Sequence, residues 1–120
     1  MRRPTLALAV AFNRAVRGQD EWFDEPDDLD RVESLGAIDG IEGPVEAAAV
    51  LACRLTRAQG FTEGNKRTAL LLARWVLDRN GLDGALLLPS DDREFAELIV
   101  WAASGVDVEA QIVALLKSRT

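Results

Sequence analysis

Apolar residues recur along this chain with the spacing of α-helices. The first such stretch runs from Pro4 to about Val16 and places Leu6, Ala9 and Asn13 on one face. Residues three and four apart share a face of a helix, and proline is favoured at a first helical position. The same spacing recurs in five further stretches, at about residues 29–35, 44–58, 65–79, 90–104 and 107–119. The pattern predicts an all-α fold, a bundle of about six helices.

Two of these stretches are expected to lie at the centre of the fold. Residues 65–79 are apolar on nearly every side, which indicates the core helix, and Asn80-Gly81 supplies its stop because both residues tolerate a left-handed backbone. The small apolar residues of 44–58 indicate a closely packed neighbour. Because no strand, repeat or interdomain linker is visible, residues 1–120 are expected to form a single domain.

Some individual residues and segments also have expected places. Trp75 and Trp101 lie among apolar neighbours on helices, so we expect both to pack in the core. Residues 86–88 are expected to be a short apolar connection that Pro89 ends. An acidic run between residues 20 and 30 has no helical or strand period and is expected to be a surface loop.

Composition narrows the class of protein further. The chain has 120 residues, 48% of them hydrophobic, so a core can form without metals or disulfides. Its single cysteine, Cys53, has no internal partner and is expected to behave as a small buried hydrophobe. No apolar run reaches the roughly 18 residues of a membrane span. The start, with Arg2 and Arg3, faintly resembles a signal peptide, but no cleavage site follows. We therefore expect a cytoplasmic protein whose first stretch is an amphipathic helix.

Charge and residue usage exclude several functions. The formal net charge is −6, which makes nucleic acid an unlikely partner because nucleic-acid binding needs a basic surface. The chain contains no histidine, so His-based metal sites and Ser-His-Asp triads are excluded, together with the commonest general base. Any catalysis must use other side chains.

The polar segment Gln59-Gly-Phe-Thr-Glu-Gly-Asn-Lys-Arg-Thr68 joins two strongly helical stretches. Its last residues form the first turn of a helix, where unpaired backbone N–H groups and the helix dipole attract anions. Lys66 and Arg67 are unfavourable there for the helix alone, and an anionic ligand would offset that cost. Gly64 permits close approach of the backbone and Asn65 can cap the helix or donate to a phosphate.

The segment admits two other interpretations. It could be a capped surface loop in which Glu63 pairs with Lys66 or Arg67 and Phe61 is only an apolar anchor. It could also be a P-loop, but the glycine spacing differs from that motif and no strand precedes it, so we reject the P-loop. The segment therefore predicts an anion site or a capped turn.

The segment closely resembles the signature of the Fic/Doc (Fido) family, His-x-Phe-x-Asp/Glu-Gly/Ala-Asn-Lys-Arg, which joins two helices of an all-helical fold. Chain length, helix order and the segment Ala102-Ala103-Ser104-Gly105 resemble the small Doc branch of toxins. The positions that match the signature and its continuation are Phe61, Glu63, Gly64, Asn65, Lys66, Arg67, Thr68 and Ala69.

The resemblance implies a nucleotide-dependent transferase. Fic members typically move AMP onto a protein hydroxyl, whereas Doc phosphorylates a translation factor with ATP and is held by an antitoxin protein. On this resemblance Glu63 binds Mg²⁺, Gly64 and Asn65 cradle phosphate, Lys66 and Arg67 neutralise it, and Phe61 anchors the loop. ATP, or another nucleoside triphosphate, and Mg²⁺ are the implied cofactors.

The departure from the signature is Gln59, which stands where the family has its catalytic histidine. A glutamine amide does not accept a proton near neutral pH, and loss of a general base typically costs about 100- to 10,000-fold in rate. Three explanations stay open: an inactive binding module, a chemistry that needs no histidine, and an engineered change. Glu63 could act as the base instead, but a carboxylate beside Lys66 and Arg67 is expected to have a low pKa.

Overall fold

The computed structural model describes residues 1–17, 32, 38–59 and 64–120. Within these ranges the chain forms six α-helices and no strand. None of the helices in the same ranges is long and apolar enough to cross a bilayer. The all-α fold class is confirmed. The helices are α1 (Leu6–Arg17), α2 (Pro44–Ala58), α3 (Asn65–Arg79), α4 (Gly84–Leu87), α5 (Arg93–Ala103) and α6 (Glu109–Ser118).

The first helix begins at Leu6, two residues later than the sequence pattern predicts. The Oγ1 of Thr5 accepts a hydrogen bond from the backbone N–H of Leu8 at 3.1 Å, which is the role of an N-cap side chain. Pro4 therefore precedes the helix instead of starting it. The short helix predicted over 29–35 lies outside the described residues except for Val32, which is buried.

The most buried helix is α2, in which ten of fifteen residues are buried. Its alanines, with Cys53, allow α3, α5 and α6 to pack against it at close range. Residues 65–79, predicted as the core helix, form α3, which is less buried: Leu70 and Trp75 lie only partly inside. The alanine-rich helix is central because small side chains let several neighbours approach it.

The end of α3 follows the sequence prediction. Gly81 takes a left-handed backbone with φ of 88°, and the N–H of Leu82 donates to the Leu77 carbonyl at 2.9 Å. Asn80 has φ of −116°, so only the glycine uses the left-handed region. This pattern satisfies a carbonyl that the helix end would otherwise leave without a partner.

The predicted apolar connection over 86–88 is wrong in part, because Gly84–Leu87 forms one helical turn, α4. The Asp83 carboxylate caps it by accepting from the N–H of Leu86 at 3.1 Å. Gly84 lies against α3 so closely that a Cβ there would come within 2.6 Å of the Arg74 carbonyl oxygen. The sequence pattern missed this turn because one turn is too short to show a period.

The last two helices pack on α2 and are clamped to each other. Asp92 caps α5 by accepting from the N–H of Phe95 at 3.2 Å. The same carboxylate receives both terminal nitrogens of Arg119, with Nη2 at 3.0 Å from Oδ1. Hydrogen bonding from Arg119 lowers the pKa of Asp92, whose side chain is 4% exposed. The pair therefore fixes the start of α5 against the end of α6.

The expectation that both tryptophans pack in the core is wrong for Trp101. Its side chain is 58% exposed, whereas Phe95, Ile99 and Ala102 form the buried face of α5. At 3.6 residues per turn, position 101 falls outside that face, on the side of Leu98. Trp75 is half-buried, with the Arg79 guanidinium 5.7 Å from the ring centroid. Neighbouring apolar letters in the sequence do not by themselves place a residue inside.

Candidate functional site

The junction between α2 and α3 has a left-handed residue on each side. Gln59 ends α2 with φ of 47° and ψ of 44°, and Gly64 precedes α3 with φ of 77° and ψ of 15°. Gln59 is the one non-glycine residue with positive φ in the part of the chain that the structure describes. A left-handed backbone costs a residue with a Cβ about 1–2 kcal/mol. Such strain at a polar residue is typical of functional sites.

The side chain of Gln59 is held by the end of α5. Its Nε2 donates to the Ala103 carbonyl oxygen at 2.9 Å. A carbonyl only accepts, so the amide nitrogen must face Ala103, and Oε1 is then the other arm of the amide. Gln59 also lines the cavity described next. The Gln59 side chain is thus fixed to α5 at the edge of the cavity, at the position where the resemblance expects a base.

A cavity of about 410 Å³ opens at this junction. Four residues predicted for the phosphate site, Gly64, Asn65, Lys66 and Arg67, line it together with Gln59. Thr56 and Ala103 complete the lining. The volume falls within the roughly 300–1,000 Å³ of small-molecule sites. The fold therefore brings five of the predicted site residues around one space, whereas Phe61 and Glu63 lie outside the described residues.

The first turn of α3 is cationic. It contains no acidic residue, and both Lys66 and Arg67 are exposed. Its N-cap residue is Gly64, which has no side chain to accept hydrogen bonds from the first-turn N–H groups. The helix dipole adds about half a positive charge at this end. Backbone and side chains therefore favour an anion at the same place.

The first turn of α3 packs against α1. Asn13 is 1% exposed, and its Nδ2 donates to the Thr68 Oγ1 at 3.2 Å. Arg17 donates through Nη1 to the Asn13 Oδ1, also at 3.2 Å. A Cβ built on Gly64 would come within 3.1 Å of the Asn13 Nδ2 and 3.3 Å of the Val16 Cγ1. Buried polar bonds and close packing thus hold the start of α3 in place.

Two features of this site escaped sequence reasoning. Asn13 was placed on the apolar face of its helix without a role, and a polar residue on such a face is the signal that could have revealed it. Thr56 is fully buried beside the cavity, and its Oγ1 has no hydrogen-bond partner among the described residues. It lies three residues before Gln59, a spacing that could have drawn attention to it.

Cys53 lies near two carboxylates, but the three side chains do not favour a metal ion. Its Sγ lies within 4.8 Å of carboxylate oxygens of Asp107 and Glu109. Burial raises the pKa of the Cys53 thiol, which disfavours the thiolate that a metal ion needs. Glu109 already pairs with the Arg54 Nε at 2.7 Å. The cysteine is buried among apolar residues, as the sequence predicts.

Comparison with known proteins identifies the family. No curated protein matches the chain. The model of the Fic/DOC family matches residues 5–77, which is more than half of the chain. The matched region includes α1, α2, most of α3 and every lining residue of the cavity except Ala103. This chain belongs to the Fic/DOC family.

Proposed function

We propose that this chain is a Fic-type transferase that uses Mg²⁺ and ATP, or another nucleoside triphosphate, to modify a hydroxyl group of a target protein. We also propose that it is the toxin component of a toxin–antitoxin pair, with a translation factor as target and an antitoxin protein as partner. Family membership supports the transferase. The toxin role rests on the resemblance to the Doc branch described above.

The observation that carries the transferase proposal is the first turn of α3. Gly64, Asn65, Lys66 and Arg67 line one cavity, and that cavity has the size of a small-molecule site. Arg67 can bind a phosphate through two parallel hydrogen bonds, whereas Lys66 acts as a point charge. The residues present therefore fit a nucleotide's phosphates. Glu63, which precedes Gly64, is the residue proposed to hold Mg²⁺.

Gln59 determines how the target hydroxyl is handled. Because its Nε2 is taken by Ala103, Gln59 can offer Oε1 to the hydroxyl hydrogen of the target. That contact orients the nucleophile but does not remove its proton, which must leave to solvent as the oxygen attacks phosphorus and ADP (in phosphorylation) or pyrophosphate (in AMP transfer) departs. Transfer is therefore expected to be slower, by about 100- to 10,000-fold, than with a base at this position.

A histidine at position 59 could use the same contact. One ring nitrogen would donate to the Ala103 carbonyl, which fixes the tautomer, and the other would present its lone pair to the cavity. Gln59→His is therefore expected to raise the rate of transfer. The variant Gln59→Ala, which retains neither function, is expected to lower it below the wild-type level.

The test uses the purified chain with Mg²⁺ and ATP labelled at either the α or the γ phosphate, in cell lysate. The variants are Gln59→His and Arg67→Ala, with Arg93→Ala as the matched control because Arg93 is exposed on α5 and does not line the cavity. Arg67→Ala is expected to weaken binding of ATP by about 10- to 100-fold, the value of a hydrogen bond to a charged group. Arg93→Ala is expected to bind ATP like the wild type.

The position of the transferred label identifies the reaction. Label from the γ phosphate indicates phosphorylation, and label from the α phosphate indicates AMP transfer. ATP binding without transfer, even in Gln59→His, would favour the alternative, a catalytically inactive member that acts by binding a partner protein. If neither wild type nor Gln59→His binds ATP, the proposal is wrong.

A further inference from the structure

A groove lies between α5 and α6 and shares no lining residue with the cavity at the junction of α2 and α3. It has a volume of about 480 Å³. The α5 wall consists of Glu94, Glu97, Leu98 and Trp101, which have the i, i+3, i+4, i+7 spacing of one helix face. Four residues of α6 that begin at Gln111 repeat this spacing on the other wall. Two helical stripes thus face each other across an open channel.

The floor of the groove is apolar. Leu98 and Leu115 are half-buried there, and the Trp101 side chain is 58% exposed at one end. Val100, the preceding residue of α5, is also exposed, at 57%. An exposed tryptophan beside apolar side chains is typical of binding surfaces, where such residues dominate the binding energy.

The charge of the groove is negative. Glu94 and Glu97 line it, no basic residue does, and neither carboxylate forms an ion pair within the described ranges. Two cations at the end of α6 have other partners, and Arg119 also interacts electrostatically with Glu94. The Lys117 Nζ lies 3.0 Å from Glu46, and Arg119 is bonded to Asp92. A partner with positive charge would therefore meet two carboxylates and an aromatic face.

We propose that this groove binds a basic amphipathic helix of a partner protein. The apolar side chains of that helix lie on Leu98 and Leu115, and its lysine or arginine side chains meet Glu94 and Glu97 or stack on Trp101. Each stripe extends over about 10 Å, which corresponds to two helical turns. An interface of this size is small, so affinity in the micromolar range is expected.

The test uses the full chain and a synthetic amphipathic peptide of leucine and lysine, about 18 residues long, which is five helical turns. Its acidic counterpart has glutamate in place of lysine. Binding is measured by calorimetry at about 0.15 M salt, where unspecific surface attraction is screened. The variants are Trp101→Ala and Glu97→Lys, with Glu42→Lys as the matched control because Glu42 is exposed outside the groove.

The proposal makes four quantitative expectations. Trp101→Ala weakens binding of the basic peptide about 30-fold, the effect of losing a hot-spot residue. Glu97→Lys weakens it about 10-fold, because a favourable charge contact becomes a repulsive one. Glu42→Lys changes the affinity by less than about 2-fold, and the acidic peptide binds at least about 30-fold more weakly than the basic one.

Several results would overturn the proposal. One is absence of binding by the basic peptide. Another is equal weakening by Glu97→Lys and Glu42→Lys, which would indicate attraction to the net negative charge alone. Equal affinity for the acidic and the basic peptide would show that Glu94 and Glu97 do not select a basic partner. Self-association of the chain that Trp101→Ala abolishes would assign the groove to a second copy instead.

Discussion

Replacement of Gly64 by alanine tests whether α1 holds the first turn of α3 in place. The backbone at Gly64 is left-handed, with φ of 77°, so an added Cβ costs about 1–2 kcal/mol of unfolding free energy. The Cβ would also lie 3.1 Å from the Asn13 Nδ2, which is bonded to Thr68. Displacement of that buried hydrogen bond costs about another 1 kcal/mol. We therefore expect a total loss of about 2–3 kcal/mol.

Gly81 provides a matched control at the other end of the same helix. Its φ is 88°, yet a Cβ there would meet no atom within 4 Å. Gly81→Ala is therefore expected to cost only the backbone term, about 1–2 kcal/mol. Urea unfolding followed by circular dichroism at 222 nm gives both values under the same conditions. The difference between them measures the contact with α1.

A double-mutant cycle with Asn13→Ala assigns that difference to a residue. If the Cβ acts through Asn13, removal of its side chain relieves the close contact, and the two substitutions together cost less than their sum. Equal losses for Gly64→Ala and Gly81→Ala would refute the reasoning, because α1 would then have no effect on the turn. Strict additivity with Asn13→Ala would exclude Asn13 as the cause.

Three further predictions concern stability measured by the same assay. Arg119 lowers the pKa of Asp92, so its carboxylate stabilises the folded state above the usual aspartate pKa of about 3.9, and this contribution is lost as pH falls through the lowered pKa. Asp92→Asn retains the cap and is expected to lower the unfolding free energy by about 3 kcal/mol at pH 7. It should also make the unfolding free energy less dependent on pH in the acid range; an unchanged pH dependence would contradict this. Thr56→Val is expected to raise stability by about 1 kcal/mol, since it removes a buried hydroxyl that has no hydrogen-bond partner among the described residues. A loss of stability would indicate that the hydroxyl does have such a partner. Leu72→Ala is expected to cost about 2–5 kcal/mol because Leu72 is fully buried. Leu86 is 69% exposed, so Leu86→Ala is expected to cost less than about 0.5 kcal/mol. Equal costs would place Leu72 outside the core.

Helix positions and the cationic turn were readable from the sequence. Helix formation depends on the spacing of apolar residues and on local caps, so the pattern located α2 and α3 and the stop at Gly81. The cationic character of the turn with Lys66 and Arg67 is equally local, because it follows from their place at the start of a helix. One helix end was misplaced at Thr5, where a side-chain cap decides the boundary, and the single turn Gly84–Leu87 was missed.

Contacts between distant residues were decided by the tertiary structure. Gln59 is bonded to Ala103, which lies 44 residues away, and Asn13 to Thr68, which lies 55 residues away. Periodicity carries no information about which helices meet or about their rotation, so it could not reveal either contact. The exposure of Trp101 has the same origin. The sequence by itself determined the helices and a cationic turn, whereas helix packing decided what that turn faces and which surface stays open, because those depend on long-range contacts.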